Sequence, residues 1–285
     1  MDALNVKNVT KKYPKFTLDN VSFSIPQGCI MGLIGENGAG KSTVIKAILD
    51  IINKDSGKIE LYGQNFDRNT VALKEDIGIV FDTLYYPETL KPSQISKINQ
   101  YTYKNWSDET FRKYCKILKI SYNKKISALS KGTKMKLSTT IALSHKAKLL
   151  ILDEPTANLD PVARDDMLDI FMDFMQDDTH SILMSSHITT DLEKIADYIT
   201  FLHEGKILLS KSKDELIYDY RIVHCGESDF IEIKNEDGAV FRKRDFQYDI
   251  LLPNGRKLES KYSSCTFERP TIEEIMLMYI KGECI

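Results

Sequence analysis

The apolar run CIMGLIG ends in the glycine-rich stretch GENGAGKST, Gly35–Thr43, which fits the spacing G-x-x-x-x-G-K-[ST]. Next comes KSTVIKAILDII, where Val44, Ile45, Ile48, Leu49 and Ile52 recur at helical spacing. Strand, glycine loop and helix in that order make a cradle for phosphate. The glycines let successive backbone N–H groups curl around phosphate oxygens, and the helix adds the positive end of its dipole. Such a pattern arises by chance in about 1% of chains of this size at average composition. Gly35, Glu36, Asn37, Gly38, Ala39, Gly40, Lys41, Ser42 and Thr43 are therefore the expected nucleotide-binding residues. Lys41 reaches the outer phosphates, and the Ser42 hydroxyl is placed to ligate Mg²⁺.

The rest of the chain supplies an α/β fold around this loop. The unbroken apolar run KLLILD, Lys148 to Asp153, reads as a strand covered on both faces. HSILMSSH repeats the pattern one helix later, so strands and helices alternate. Asp153 and Glu154 fall at the C-terminal end of the first of these strands, where open parallel sheets bind their ligands. There Asp153 can hold Mg²⁺ and Glu154 can polarise an attacking water. Upstream, Leu4 to Val9 and Phe16 to Ile25 alternate apolar and polar residues as half-buried strands do. SGKIELYG reads as a hairpin, DIGIVFD as a further strand, and Pro92 to about Ala142 as a helical segment.

The character changes near Tyr220. DFIEI and YDILL read as short strands separated by the turn-forming NEDG and PNG, giving a small strand-rich appendage. In the closing PTIEEIMLMYIKG, Thr271 and Glu274 match a capping box, and Ile272, Ile275, Met276 and Tyr279 form an apolar stripe. That helix packs onto its own domain or onto a partner.

Composition removes several classes. With 285 residues, 42% of them hydrophobic, the chain can bury a main domain of roughly 200 to 220 residues and a smaller one. Its 39 basic and 41 acidic residues leave no broad electrostatic footprint for nucleic acid, which lowers that reading without excluding it. No stretch approaches the ~18 consecutive apolar residues of a membrane helix, and MDALNVKNVTKKYPKF lacks the apolar core of a signal peptide. A chain neither exported nor membrane-spanning is expected. Cys29, Cys115, Cys225, Cys265 and Cys284 form no CxxC pair and read as buried small apolar residues in a reducing cytoplasm.

Four stretches in order, GENGAGKST, LSKGTKMKL, LLILDEPTANLD and SSH, resemble the Walker A, signature, Walker B with D-loop, and H-loop motifs of the ABC-family ATPases, over about residues 2 to 215. The resemblance implies a P-loop NTPase core with an antiparallel β subdomain and a helical subdomain at about 83–145, together spanning 1–218. A small α+β accessory domain, 219–285, follows. ATP and Mg²⁺ are the implied cofactors. Tyr13 matches the aromatic that stacks on adenine, and His187 the histidine that contacts the γ-phosphate and completes a catalytic set with Lys41 and Glu154. Ser130 and Gly132 match the signature that caps ATP bound to an opposite subunit, and Asp160 the loop that communicates across that interface. A second cassette, identical or different, and separate transmembrane permease subunits are thus implied partners. The implied location is the cytoplasm, peripheral on the inner face of the membrane. LSKGTKMKL, the short length and the appendage are similar to bacterial exporter ATPases of the bacitracin-resistance type, which implies export of peptides, antimicrobials or other amphipathic compounds.

Three residues, in two stretches, depart from the family pattern. IGIVFD puts Asp82 where the family has glutamine. A carboxylate can still ligate Mg²⁺, so Asp82 joins Ser42 and Asp153 as an expected metal ligand, but it adds negative charge and cannot donate a hydrogen bond. In LSKGT, Lys131 and Thr133 replace the second glycine and the glutamine of LSGGQ. Lys131 either adds positive charge at the opposite phosphate site or points into solvent. Two other readings stay open: a soluble ABC ATPase acting on ribosomes or DNA, and a low-turnover module that senses ATP. Against the first stand a single cassette, no sustained heptads and no basic tail.

Overall fold

A computed structural model of the chain describes residues 1–67, 70–245 and 247–284. Three sheets carry the architecture. In the first, strands Asp2–Tyr13, Phe16–Pro26, Ser56–Leu61 and Gln64–Asn65 pair antiparallel. Val21, Phe23 and Ile25 are buried while Ser22 and Ser24 face outward, the period of two that the sequence displays.

The second sheet is the scaffold of the site. Its six strands lie in the order Lys206–Ser212, Tyr198–His203, Ile30–Ile34, Ser181–Ser186, Leu149–Asp153 and Ile77–Val80, all parallel except Lys206–Ser212. The three strands Ile30–Ile34, Leu149–Asp153 and Ser181–Ser186 are buried at every residue, as expected of parallel strands covered on both faces. One covering element is the helix Lys41–Ile48. It buries Val44, Ile45 and Ile48 in a core shared with Met31 and Leu33 of the scaffold and Leu4, Val6 and Val21 of the first sheet.

The helices Pro92–Thr102, Asp108–Ile117 and Lys131–Leu143 occupy the stretch read as helical. Ser107 caps the second of them, and its Phe111 and Cys115 are buried. The Asp108 carboxylate accepts hydrogen bonds from Ser96 Oγ at 2.6 Å and Tyr122 Oη at 3.2 Å, tying the first two helices together.

Five antiparallel strands form the third sheet: Thr266–Glu268, Arg221–Cys225, Tyr248–Leu252, Val240–Lys243 and Glu283–Cys284, in that spatial order. YDILL is one of them, but DFIEI is not a strand. It lies in the helix Glu227–Ile233. The physical reason is visible in which residues are covered. Phe230 stacks on the Tyr248 ring with centroids 3.9 Å apart and Ile233 is fully buried, a spacing of three, whereas Ile231 between them is 58% exposed. Glu227 and Asp229 favour the first turn of a helix, where the backbone N–H groups are free.

The capping box closes as read: Thr271 Oγ1 accepts from Glu274 N, and Glu274 Oε2 accepts from Thr271 N. The helix Ile272–Lys281 does more than pack on its own sheet. Ile272, Ile275 and Met278 enter the main core beside Leu192, Ile195 and Leu216, and Ile272 N donates to Glu193 Oε1 at 3.0 Å. It thereby fastens the appendage to the cassette. Among the described cysteine side chains all four are free, but only Cys115 and Cys225 are buried, Cys29 and Cys265 being half-covered. Burial pushes the Cys115 thiol up to about 12.

In a strand, residues 231 and 233 would share a face and respond alike; in the helix they differ. Ile233→Ala is expected to lower unfolding free energy by about 2–5 kcal/mol, and Ile231→Ala to stay within about 0.5 kcal/mol of the parent, both read by chemical denaturation.

Candidate functional site

Sheet register brings the chemistry together. Ile34 pairs with Ser186, and Asp153 with Ser185, so the segments beginning at Gly35, Glu154 and His187 emerge side by side from the C-terminal ends of three adjacent strands. This is where a parallel sheet presents its ligand site.

Two glycines of the loop have backbones that a side chain resists: Gly38 at φ +88 and Gly40 at φ +110. A Cβ on Gly40 would also sit 2.6 Å from Cζ of Phe16, and one on Gly35 would collide with the Leu202 carbonyl oxygen. The loop is braced from outside by Gly205 N, which donates to Ala39 O at 3.0 Å. Glu36, Asn37 and Gly38 are exposed, as is Ser42 in the first turn of the helix, while Thr43 is half-buried.

Lys41 is buried within this loop. Its Nζ donates to Gly35 O at 2.6 Å and Glu36 O at 3.3 Å, and lies 3.4 Å from Glu154 Oε1. The other Glu154 oxygen accepts from His187 Nδ1 at 2.6 Å and from the His187 backbone N–H at 3.3 Å. Lys41, Glu154 and His187 thus form one continuous chain of polar contacts. Glu154 holds a left-handed backbone, φ +53, unusual for a residue with a side chain and costing of order 1 kcal/mol. It is kept there by hydrogen bonds from its own N–H to Ser185 O and Oγ, both at 3.2 Å. Ser185 Oγ in turn donates to Asp153 Oδ1 at 2.6 Å, fixing a carboxylate that is 3% exposed.

Tyr13, 41% exposed, ends the first strand opposite Phe16, whose ring rests on Gly40. The aromatic hairpin therefore leans on the phosphate loop. Lys11 Nζ stands 5.6 Å from the Tyr13 ring centroid.

A second cluster is separate from the first. Ser130 caps the helix Lys131–Leu143, its Oγ accepting from Thr133 N at 3.2 Å. Gly132 abuts the loop after Glu154: a Cβ there would be 3.1 Å from Asn158 O and 3.1 Å from Leu159. Asp160 ends that loop and caps the helix Pro161–Phe174 by accepting from Ala163 N at 3.0 Å, which holds its carboxyl below the usual carboxylate range. Ser130, Gly132, Asn158 and Asp160 line one open cavity of about 370 Å³. Asp82 belongs to neither cluster. It lines a neighbouring cavity of about 280 Å³ with Lys131, Lys134, Glu88 and Asn158, and among the described residues no hydrogen bond joins it to Ser42 or Asp153.

Sequence reasoning missed Ser185, Phe16 and His203, whose Nδ1 lies 3.5 Å from Glu36 Oε2. None of them falls within a phosphate-binding pattern. Ser185 does lie in the SSH stretch, two residues before His187.

Comparison with known proteins agrees with this geometry. Residues 18–157 match the ABC transporter family. Over 214 residues the chain is 35% identical to the lantibiotic transport ATP-binding protein SrtF of Streptococcus pyogenes, covering 74% of this chain and 91% of that protein. It is 32% identical over 224 residues to the bacitracin transport ATP-binding protein BcrA of Bacillus licheniformis, covering 76% and 70%. Against the linearmycin resistance ATP-binding protein LnrL of Bacillus subtilis, identity is 30% over 219 residues, covering 75% and 70%. A solved ATP-binding subunit of an ABC transporter superposes with a TM-score of 0.67 at 24% identity, covering 75% of this chain and 91% of that one. A dimeric cassette solved after hydrolysis with ADP and Pi gives 0.65 at 20% identity, covering 73% and 98%.

The fold and site define an ABC-type P-loop ATPase. The chain belongs to the ATP-binding proteins of ABC transporters, subunits that hydrolyse ATP to power transport.

Ser185→Ala leaves the buried Asp153 carboxylate and the strained Glu154 backbone each one hydrogen bond short. We expect a stability loss of about 1–3 kcal/mol by thermal unfolding and, independently, a fall in steady-state ATP turnover.

Proposed function

We propose that this chain powers export of an amphipathic peptide or antibiotic as one of two cassettes beneath separate membrane subunits. The observation that carries the ATPase part of this reading is the contact chain Lys41–Glu154–His187 at the mouth of a parallel sheet. The cargo class rests on the names of the relatives, which include a lantibiotic, a bacitracin and a linearmycin protein.

In this proposal the amides of Gly35–Thr43 cradle the phosphates and Tyr13 stacks on adenine through its π-face. The Lys41 ammonium carries three N–H donors, so an entering phosphate oxygen can take over from a loop carbonyl without leaving the charge unpaired. Glu154 orients the attacking water and accepts its proton; His187, hydrogen-bonded to Glu154, sets the direction of that carboxylate and meets the γ-phosphate. The donor set also suits Mg²⁺. The Ser42 hydroxyl and the Asp153 carboxylate are hard oxygen ligands, and the Asp153 side chain is already oriented by Ser185. When bound, the ion would neutralise charge on the transferring phosphate.

The Ser130, Gly132 and Asp160 cluster lines a cavity that none of Lys41, Glu154 and His187 lines; in this proposal it serves a nucleotide held by another cassette, with the N-terminus of helix Lys131–Leu143 aimed at phosphate. Each active site is then composite, and ATP favours the paired state, a population shift that drives the membrane subunits. Residues 219–285 constitute an accessory domain held to the cassette by the helix Ile272–Lys281. Among the described residues no helix is long and apolar enough to cross a membrane. In this proposal the permease subunits are separate chains and the cassette sits on the inner membrane face.

Glu154→Gln is expected to keep ATP binding and slow turnover at least about 100-fold, whereas Lys41→Ala weakens binding itself; a Glu154→Gln rate equal to the parent's would remove Glu154 from the mechanism. Replacing the chromosomal copy by Lys41→Ala should sensitise the native cell to lantibiotics or bacitracin-like peptides. Unaltered sensitivity across such a panel would remove the cargo assignment while leaving the ATPase intact.

A further inference from the structure

Asp82 and Lys131, residues of opposite charge, are brought to one place by the fold. Both line the cavity of about 280 Å³ between the end of strand Ile77–Val80 and the N-terminus of the helix Lys131–Leu143. Four charged residues line that space: Asp82, Glu88, Lys131 and Lys134. One pair is formed, with Lys134 Nζ at 2.7 Å from Glu88 Oε1. Among the described residues neither Asp82 nor Lys131 has an ion-pair partner, so the lining carries one acidic and one basic residue that are not in direct salt-bridge contact. Opposite charges on the walls of a cavity this size interact within the Debye length of about 8 Å at physiological salt.

Lys131 also lines the cavity of about 370 Å³ that contains Ser130, Gly132 and Asp160. It stands at the partition between the two spaces, one residue past the cap Ser130. Its flexible stem lets the ammonium face either side. On one side it meets Asp82; on the other it faces the surface at which the proposed opposite nucleotide docks.

We propose that Asp82 and Lys131 act as one unit, a charge pair in which Asp82 positions the Lys131 ammonium and with it the first turn of the signature helix. A neutral residue at 82 would leave Lys131 unopposed in the cavity. A neutral residue at 131 would leave Asp82 as excess negative charge beside Asn158 and the loop that follows Glu154. Both are positioning residues, since neither touches the Lys41–Glu154–His187 chain. This inference rests on the ATPase reading above.

The test is a double-mutant cycle on the full-length chain: Asp82→Asn, Lys131→Gln, both together, and the exchange Asp82→Lys with Lys131→Asp. Steady-state kcat and KM for ATP are measured at about 25 mM and about 500 mM salt, which moves the screening length from well above to well below the cavity's span. The same four variants are followed by thermal unfolding without nucleotide. We expect each single variant to lower kcat about two- to fivefold, the scale of exposed ion pairs, with KM changed less than twofold in Asp82→Asn. The neutral double variant should lose no more than the worse single, the exchange should recover most of the parental kcat, and the coupling should collapse at high salt. Losses that multiply in the double variant at both salts, or four variants indistinguishable from the parent, would overturn the pairing. A parental chain that hydrolyses no ATP would refute the ATPase reading, and the unfolding cycle would then decide the pair by itself. An exchange variant that does not fold leaves the decision to the neutral cycle.

Discussion

Burying the ammonium of Lys41 sets the terms for everything at the nucleotide site. Its side chain is 7% exposed, and an isolated charge at that depth would cost several kcal/mol. Two loop carbonyls and the Glu154 carboxylate offset that cost. Each partner is fixed by a different strand of one sheet, Gly35 by Ile30–Ile34 and Glu154 by Leu149–Asp153, with Ser185 of the strand between them holding the Glu154 backbone. Strand register is thereby converted into the spacing of charged groups. A slip of one residue between Leu149–Asp153 and Ser181–Ser186 would turn Asp153 and Ser185 to opposite faces of the sheet.

The loop from Glu154 to Asp160 transmits this order outward. It leaves the sheet in a strained left-handed turn, passes against Gly132, and ends as the cap of helix Pro161–Phe174. A change at Glu154 is therefore connected through about one turn of chain to the Ser130 surface. The two clusters are distinct in space but share a mechanical element.

Much of this was legible in the sequence because the governing signals are local. The phosphate loop needs glycine at defined positions, the parallel strands need unbroken apolar runs, and Thr271 with Glu274 needs only four residues to declare a cap. DFIEI was misread because five residues satisfy either period; the choice was made by Phe230 stacking on Tyr248, a contact with a residue 18 positions away in the chain. The support of Glu154 by Ser185, and of Gly40 by Phe16, was invisible for the same reason, as both depend on which strands become neighbours. The fastening of helix Ile272–Lys281 onto Leu192, Ile195 and Leu216 was likewise half readable: the stripe showed a buried face, but not what covers it.

The central claim is that this ATPase works with membrane-spanning permease subunits. The most direct measurement is purification of the tagged chain from detergent extracts of its native cell, with quantification of what accompanies it. The account predicts a multi-span membrane protein in stoichiometric amount with the cassette, retained through size exclusion. Ribosomes, nucleic acid or no stoichiometric partner at all would contradict it.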